Sequence, residues 1–227
     1  GGYASGTVSG IVTRKYPELL VAALPAPTGR MVMLSHVDTR VRPASGPWLD
    51  VDSGSPRAFP EIAEETPRRM DLGEFRLEFG LPIWHYVHNE TVLEKRIVMP
   101  NGQNTVHVSY QVVEARAPVQ LQLRPFVNIR HYESPLREGV VESYAFTALN
   151  RRFEVVPPEG TPVLRLLFNG PHPTLTQEIA QEPNAYREEE SRGYQYQGSL
   201  WSPGYFQVTL EPGDPAVSTF TLVASTE

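Results

Sequence analysis

The chain of 227 residues contains no cysteine, which excludes disulfides and thiolate metal sites. Its 26 acidic residues outnumber its 20 lysines and arginines, and no basic stripe appears that would follow a phosphate backbone, so nucleic acid is excluded as an expected partner. A hydrophobic fraction of 40% is enough for a buried core, while 17 glycines and 22 prolines favour many strands joined by turns over a helical fold.

The N-terminal segment has four glycines and two serines in its first sixteen residues and then runs into apolar residues at 19–24. Glycine accepts positive φ and lets another chain or a ligand approach closely. The pattern predicts a shaped loop that leads into a buried strand. No Lys follows Gly6 as a phosphate loop requires, and neither serine has the surroundings of a nucleophile elbow, so nucleotide binding and serine chemistry are not indicated.

Apolar and polar residues alternate through most of the chain. This alternation predicts half-buried strands at residues 30–41, 75–79, 84–88, 96–98, 106–112, 119–123, 151–156, 163–168, 205–211 and 217–224. Asn101-Gly102 predicts a hairpin between two of them. More than ten strands exceed what one open sheet accommodates. The predicted fold class is therefore all-β, a large two-sheet antiparallel β-sandwich with one or two short helices.

Two short segments are predicted to be helical. One covers residues 61–69, and the other begins at an Asn184 cap, passes through the glutamates at 188–190 and ends at Gly193. We interpret the three glutamates as a solvated helix face, because adjacent carboxylates cannot flank a glycosidic bond as a glycosidase requires.

Histidines and aromatic residues are the candidates for metal-binding and ligand-binding sites. His85 and His88 are three residues apart in a predicted strand and point to opposite faces, so no metal and no cofactor are predicted. Trp84 and Tyr110 fit the strand pattern and are predicted to be core residues. Other amphipathic rings suit a sugar face or a protein interface, namely Tyr186 in the second predicted helix and Tyr194 and Trp201 near predicted loops.

The opening motif resembles a known family. Gly1-Gly2-Tyr3-Ala4-Ser5-Gly6-Thr7-Val8, followed by Thr13-Arg14-Lys15-Tyr16, is similar to the start of the N-terminal domain of bacterial and archaeal glycogen debranching enzymes, the amylo-α-1,6-glucosidase family. Segments at 29–35, 93–97, 124–130 and 192–204 match in the same order. The resemblance implies one galactose-mutarotase-like sandwich over residues 1–227, belonging to a longer protein and packed against a C-terminal (α/α)6 catalytic barrel that this chain does not contain.

The resemblance also implies a function. In that family the barrel carries the acid and base that hydrolyse α-1,6-glucosidic branch linkages in glycogen-like glucans, so no catalytic residue is assigned here and the isolated chain is expected to be inactive. Its expected partners are the barrel and a branched α-glucan that it helps to position. The alternative is a stand-alone carbohydrate-binding or scaffold module without enzymatic activity. A sugar epimerase acting within the sandwich rests on fold analogy alone.

Two blocks of the resemblance supply candidate site residues. Arg14 and Tyr16 match the family's Thr-Arg-Arg-Tyr-His block, and Arg130 and Tyr132 match its Arg-Asp-Tyr-His block. These four residues are expected to contact substrate or face the barrel, and the alternative is that the arginines pair with strand-edge carboxylates. The family's histidines are replaced here by Pro17 and Glu133, and its Asp by His131. These replacements point to a divergent relative with altered or absent debranching activity.

The same sequence gives expectations about location. No apolar run approaches the ~20 residues needed to cross a bilayer, and no charged-then-apolar leader precedes the opening motif. We therefore expect a cytoplasmic protein with no membrane partner.

Overall fold

Antiparallel strands make up most of the computed structural model, which describes residues 1–10, 12–44, 46–52, 68–136, 144–149, 152–158 and 161–227. Two short helices accompany them, α1 (Arg187–Ser191) and α2 (Pro215–Ser218). The predicted all-β fold with one or two short helices is confirmed. In chain order the strands are β1 (Leu20–Ala23), β2 (Arg30–Leu34), β3 (His36–Pro43), β4 (Leu49–Asp52), β5 (Asp71–Glu78), β6 (Leu81–His88), β7 (Thr91–Val98), β8 (Thr105–Glu114), β9 (Val119–Phe126), β10 (Arg130–His131), β11 (Ala145–Leu149), β12 (Arg152–Val156), β13 (Leu164–Asn169), β14 (Thr174–Ala185), β15 (Gln197–Leu210) and β16 (Thr219–Ser225).

Two sheets face each other across the core. One has eight strands in the order β11-β12-β13-β16-β8-β7-β6-β5, and the other has five in the order β14-β15-β9-β3-β4. Phe153 and Phe168 of the larger sheet contact Phe206 of the smaller sheet, with ring centroids 4.8 and 4.4 Å apart. Buried residues of both sheets form one apolar cluster, and each fully buried aromatic ring contributes about 1.5–3 kcal/mol to it. Trp84 and Tyr110 belong to this cluster, as predicted.

A third, small sheet joins β1, β2 and β10 in that order. It divides the predicted strand at 30–41 in two at Ser35, whose backbone N–H donates to the carbonyl of Phe126. Residues before the break pair in the small sheet, and residues after it pair in the five-stranded sheet. The expected buried strand after the glycine-rich segment is confirmed as β1.

Close packing explains one glycine of the N-terminal segment. Gly10 has φ +76°, and a Cβ atom at this position would lie 2.7 Å from the Cβ of Asp52. The indole N–H of Trp84 donates to the carbonyl of Val8 at 2.9 Å and fixes the same segment to the large sheet. A bulkier residue at position 10 would be strained in its backbone and would collide with Asp52.

The edge strand β5 does not match the prediction of a half-buried segment at 75–79. Phe75, Leu77 and Phe79 expose 37, 64 and 99% of their surface. Their alternation is real, since Phe75 and Leu77 share a face with core residues of β6 such as Trp84. The apolar face is exposed because β5 is the last strand of an eight-stranded sheet that five strands cannot cover.

The turn predictions were largely confirmed. Residues 99–104 connect β7 to β8 as an antiparallel hairpin, with Gly102 at φ +78°. Gly193 ends α1, where its own N–H and that of Tyr194 donate to the carbonyls of Glu190 and Glu189. The predicted cap is wrong, because α1 begins after Tyr186 and Asn184 is a buried residue of β14.

Several elements differ from the predictions. Most of the predicted helix at 61–69 lies outside the described residues, and Arg69 forms a strand bridge with Asp50 instead. The last predicted strand begins only at Thr219, because α2 occupies residues 215–218. Neither helix of the described part of the chain is long and apolar enough to cross a bilayer.

Candidate functional site

Three half-buried tyrosines lie together beside the small sheet. The rings of Tyr16 and Tyr132 have centroids 5.0 Å apart, and Tyr3 meets Tyr132 edge to face at 6.1 Å. The hydroxyl of Tyr3 also donates to the backbone carbonyl of Tyr16 at 2.9 Å. We call these three residues the tyrosine cluster. It brings together the opening motif, the segment before β1 and the turn after β10.

Three cationic side chains surround the tyrosine cluster. The Lys15 ammonium lies 4.9 Å from the ring centroid of Tyr16, and the Arg14 guanidinium lies 6.0 Å from it. Exposed Arg30 lies 6.0 Å from the ring centroid of Tyr132. These distances are within the range of cation–π contacts. The arrangement presents flat rings bordered by hydrogen-bond donors.

Arg130 is buried next to the tyrosine cluster and binds the two chain segments that carry Tyr16 and Tyr132. Its Nη2 atom donates to the carbonyl of Lys15 at 2.8 Å, and its Nη1 atom donates to the carbonyls of Tyr132 at 3.0 Å and His131 at 3.3 Å. The Glu18 carboxylate lies 3.8 Å from the same guanidinium. A planar group with several fixed donors suits this work better than a lysine would. Arg130 is therefore a positioning residue for Tyr16 and Tyr132.

Glu18 is a buried carboxylate with an unusual titration. Its Oε1 atom accepts a hydrogen bond of 3.4 Å from the hydroxyl of buried Tyr186, and its Oε2 atom has no hydrogen-bond partner in the structure. Burial raises the pKa of Glu18 to about 7, although Arg130 and His36 act to lower it. The carboxyl thus gains and loses its proton near neutral pH, well above the range of an exposed glutamate.

This titration predicts a pH-dependent stability. The folded pKa of about 7 exceeds the ordinary 4.5, so the stabilisation from the bound proton is complete below about pH 4.5 and is lost as pH rises through 7. Relative to Glu18→Gln, the wild type should lose about 3 kcal/mol of unfolding free energy between pH 4.5 and pH 8. Urea titrations of both proteins across this range measure the difference, with exposed Glu211→Gln as the control. A difference that stays constant with pH would refute the assignment.

Glu189 corrects the interpretation of the three glutamates as a solvated helix face. Its side chain is buried, accepts a hydrogen bond from Arg14 Nε at 3.4 Å and another from the backbone N–H of Lys15 at 3.3 Å. Helix α1 thereby anchors the segment that carries Tyr16. The alternative role for the arginines, pairing with carboxylates, describes part of what Arg14 and Arg130 do, although their partners lie in a helix and a loop instead of strand edges.

The structure brings together five of the seven sequence-predicted site residues, which are Arg14, Tyr16, Arg130, Tyr132 and Tyr186. Tyr186 is buried and contacts Glu18 from below, so it supports the cluster without reaching its surface. Tyr194 is 64% exposed directly after α1. The expected surface position of Trp201 is wrong. This ring is 8% exposed, belongs to the core and packs on Tyr144 with centroids 5.2 Å apart.

The three residues at which the resemblance led us to expect other residues are neighbours of the tyrosines in the chain. Exposed His131 and Glu133 flank Tyr132 in the chain, and partly buried Pro17 follows Tyr16.

A second buried polar group lies between the two sheets and was not predicted from the sequence. Lys95 of β7 forms an ion pair with Asp52 of β4 between the two sheets, and its ammonium lies 5.7 Å from the ring centroid of Trp84. Burial lowers the pKa of Lys95, but the Asp52 carboxylate more than offsets this and raises it above its usual value. A cavity of about 50 Å³ adjoins the pair, and its polar lining includes Ser5, Thr7, Ser35 and His36. The position of Lys95 in the chain could have indicated its burial, because residues two apart in a strand share a face and Lys95 lies between Leu93 and Ile97.

In the described part of the chain, no group of three or more His, Asp or Glu residues could hold a metal ion. His85 bonds Glu94 with 2.6 Å between Nε2 and Oε2, which gives this histidine a local partner.

The family model described as glycogen debranching enzyme N terminal matches residues 1–217. None of the curated proteins matches this chain.

Proposed function

The chain belongs to the glycogen debranching enzyme N-terminal family, and from this premise we propose that it is a non-catalytic domain that packs on a glucan-cleaving barrel and holds a branched α-glucan for hydrolysis of its α-1,6-glucosidic linkages. Placement of the substrate is a substantial part of catalysis, since holding the reacting groups in position lowers the entropic cost of reaching the transition state. The domain would contribute this placement and the barrel would contribute the acid and base.

The observation that carries the proposal is the tyrosine cluster with its cationic border. Tyrosine rings offer an apolar face to the C–H groups of a sugar and a polar tip to its hydroxyls. Exposed Arg30 and half-buried Arg14 add donors for hydroxyl oxygens beside Tyr132 and Tyr16. Because Arg130 fixes both chain segments, the rings need little ordering when a glucan binds.

The carboxylates in contact with these groups support a binding role over a catalytic one. Hydrolysis requires two carboxyl groups on either side of the glycosidic bond. Glu18 and Glu189 are both buried and are engaged by Tyr186 and Arg14 respectively. The cluster can therefore hold a sugar but offers no reacting pair from these two residues.

Sugar binding through the tyrosine cluster is tested with Tyr132→Ala. Titration calorimetry with a branched maltooligosaccharide should show saturable binding to the wild type and about two- to tenfold weaker binding to the variant, since an aromatic contact is worth about 0.5–1.5 kcal/mol. Tyr205→Ala, which removes a partly buried ring from β15, is the matched control and should bind as the wild type does. Absence of saturable binding to the wild type, or equal affinity of both variants, would reject direct contact.

A stand-alone carbohydrate-binding module would give the same titration. The coding sequence after Glu227 separates the two, because a continuation of several hundred residues with helical-hairpin patterns supports the barrel-bound domain. A stop codon shortly after Glu227 would support the module.

A further inference from the structure

The outer edge of β5 is long, regular and exposed. The strand ends the order of the eight-stranded sheet, and no other described residue pairs with its free side. Seven of its eight residues are exposed, and residues 74–78 keep a regular register with β6 beyond a bulge near Gly73. Such an edge presents unpaired N–H and C=O groups to any extended segment that approaches it.

Natural edge strands are normally protected against pairing with another chain. Proline, charged side chains, bulges and short length are the usual devices. Strand β5 has a bulge near its start and charges of both signs, but its residues 74–78 contain no proline, no lysine and no bulge. Its inner face instead carries a row of exposed apolar side chains, namely Leu72, Phe75 and Leu77. The opposite edge strand of the same sheet, β11, has only five residues.

The charges on the outer face of β5 are self-complementary. Glu74, Arg76 and Glu78 alternate in sign along this face. When a second β5 is laid alongside in antiparallel orientation, a two-fold axis at Phe75 places Arg76 opposite Glu74, and an axis at Leu77 places Arg76 opposite Glu78. An axis at Arg76 would place like charges opposite each other, which is destabilising.

We propose that β5 is a self-association edge, where a second copy of this chain adds its own β5 antiparallel across a two-fold axis. Arg76 of each copy then lies opposite a glutamate of the other, and the two rows of apolar side chains meet on the inner face. A symmetric contact of this kind closes on itself and yields a dimer.

The ion pairs within one copy leave the glutamates available for this contact. Arg76 Nη2 lies 3.4 Å from the buried Glu94 carboxylate, which anchors the guanidinium to the sheet. Glu74 accepts from Arg76 Nη1 at 2.8 Å, yet its side chain remains 53% exposed, and that of Glu78 remains 45% exposed. Each carboxylate keeps accessible oxygen for a donor from a second copy.

Charge reversal with complementation tests the proposal by sedimentation equilibrium. The wild type should be a dimer, and both Arg76→Glu and Glu74→Arg/Glu78→Arg should raise the dimer dissociation constant by at least about tenfold, because each places like charges face to face. An equimolar mixture of the two variants should restore the dimer, since every opposing pair is then of opposite sign.

A second variant distinguishes loss of the dimer contact from local misfolding. Leu77→Lys places a cation in the exposed apolar row and should also yield a monomer, whereas Leu149→Lys, at a 72% exposed position on the opposite edge, should leave the dimer intact. Circular dichroism confirms that each protein is folded. A monomeric wild type, a dimer that survives Arg76→Glu and Leu77→Lys, or folded charge variants that fail to pair when mixed would each overturn the proposal.

Discussion

Replacement of Lys95 by Met is expected to lower the free energy of unfolding by about 3–5 kcal/mol, the cost of leaving a buried charge without its partner. Lys95 and Asp52 are both buried between the sheets, where Lys95 pairs with the Oδ2 atom of Asp52, and the Oδ1 atom has no hydrogen-bond partner in the structure. The methionine fills a similar volume, so the loss measures electrostatics more than packing.

Replacing Asp52 by a neutral residue as well should restore most of the lost unfolding free energy. In Lys95→Met/Asp52→Asn the buried charge is gone, and unfolding in urea should return to within about 1–2 kcal/mol of the wild type. Arg116→Met is the matched control, because its ion pair with Glu90 is exposed and should contribute less than about 1 kcal/mol. A small effect of Lys95→Met, or a double variant as unstable as the single one, would contradict the buried ion pair.

The second large effect is expected for Arg130→Met. This change leaves three backbone carbonyls without their donor and removes the cation beside Glu18, so the free energy of unfolding should fall by about 2–4 kcal/mol. Because Arg130 connects the chain segments that carry Tyr16 and Tyr132, the folded variant should also bind a branched maltooligosaccharide at least about tenfold more weakly.

The binding readout separates positioning from stability. Calorimetry is performed at a temperature where circular dichroism shows the variant folded. Arg165→Met is the control, since Arg165 likewise joins a carboxylate, that of Glu154, to a backbone carbonyl, that of Thr226, away from the tyrosines. It should lose stability without losing affinity. Normal affinity in folded Arg130→Met would remove Arg130 from the account of the cluster.

The alternation of apolar and polar residues predicted the positions of the strands more accurately than it predicted what each strand packs against. Strands β6, β8 and β9 were predictable because each buries one face against the other sheet, which leaves period-two apolar residues. The same period in β5 led to a wrong expectation of burial, because the pattern identifies an apolar face but not what covers it. Strand β14 was missed, since apolar and polar residues do not alternate in its sequence and it is held by pairing with the long β15.

The candidate site was predictable in part for a similar reason. The paired Arg and Tyr residues could be selected from the opening motif and the segment after β9, and the fold brings them together. The partners could not be predicted, because Glu189 is 175 residues from Arg14 and lies in a run of glutamates typical of a solvated helix. Trp201 was misplaced because neighbouring Pro and Gly suggested a loop, whereas β15 continues through them.

The most direct test of the central claim is a chemical-shift titration of the isotope-labelled chain with a branched maltooligosaccharide. The account predicts saturable shifts that centre on Tyr3, Tyr16 and Tyr132 and extend to Arg30. Saturable shifts confined to another surface, such as the face of the five-stranded sheet around Tyr205, would contradict it, as would a spectrum that does not change at millimolar sugar.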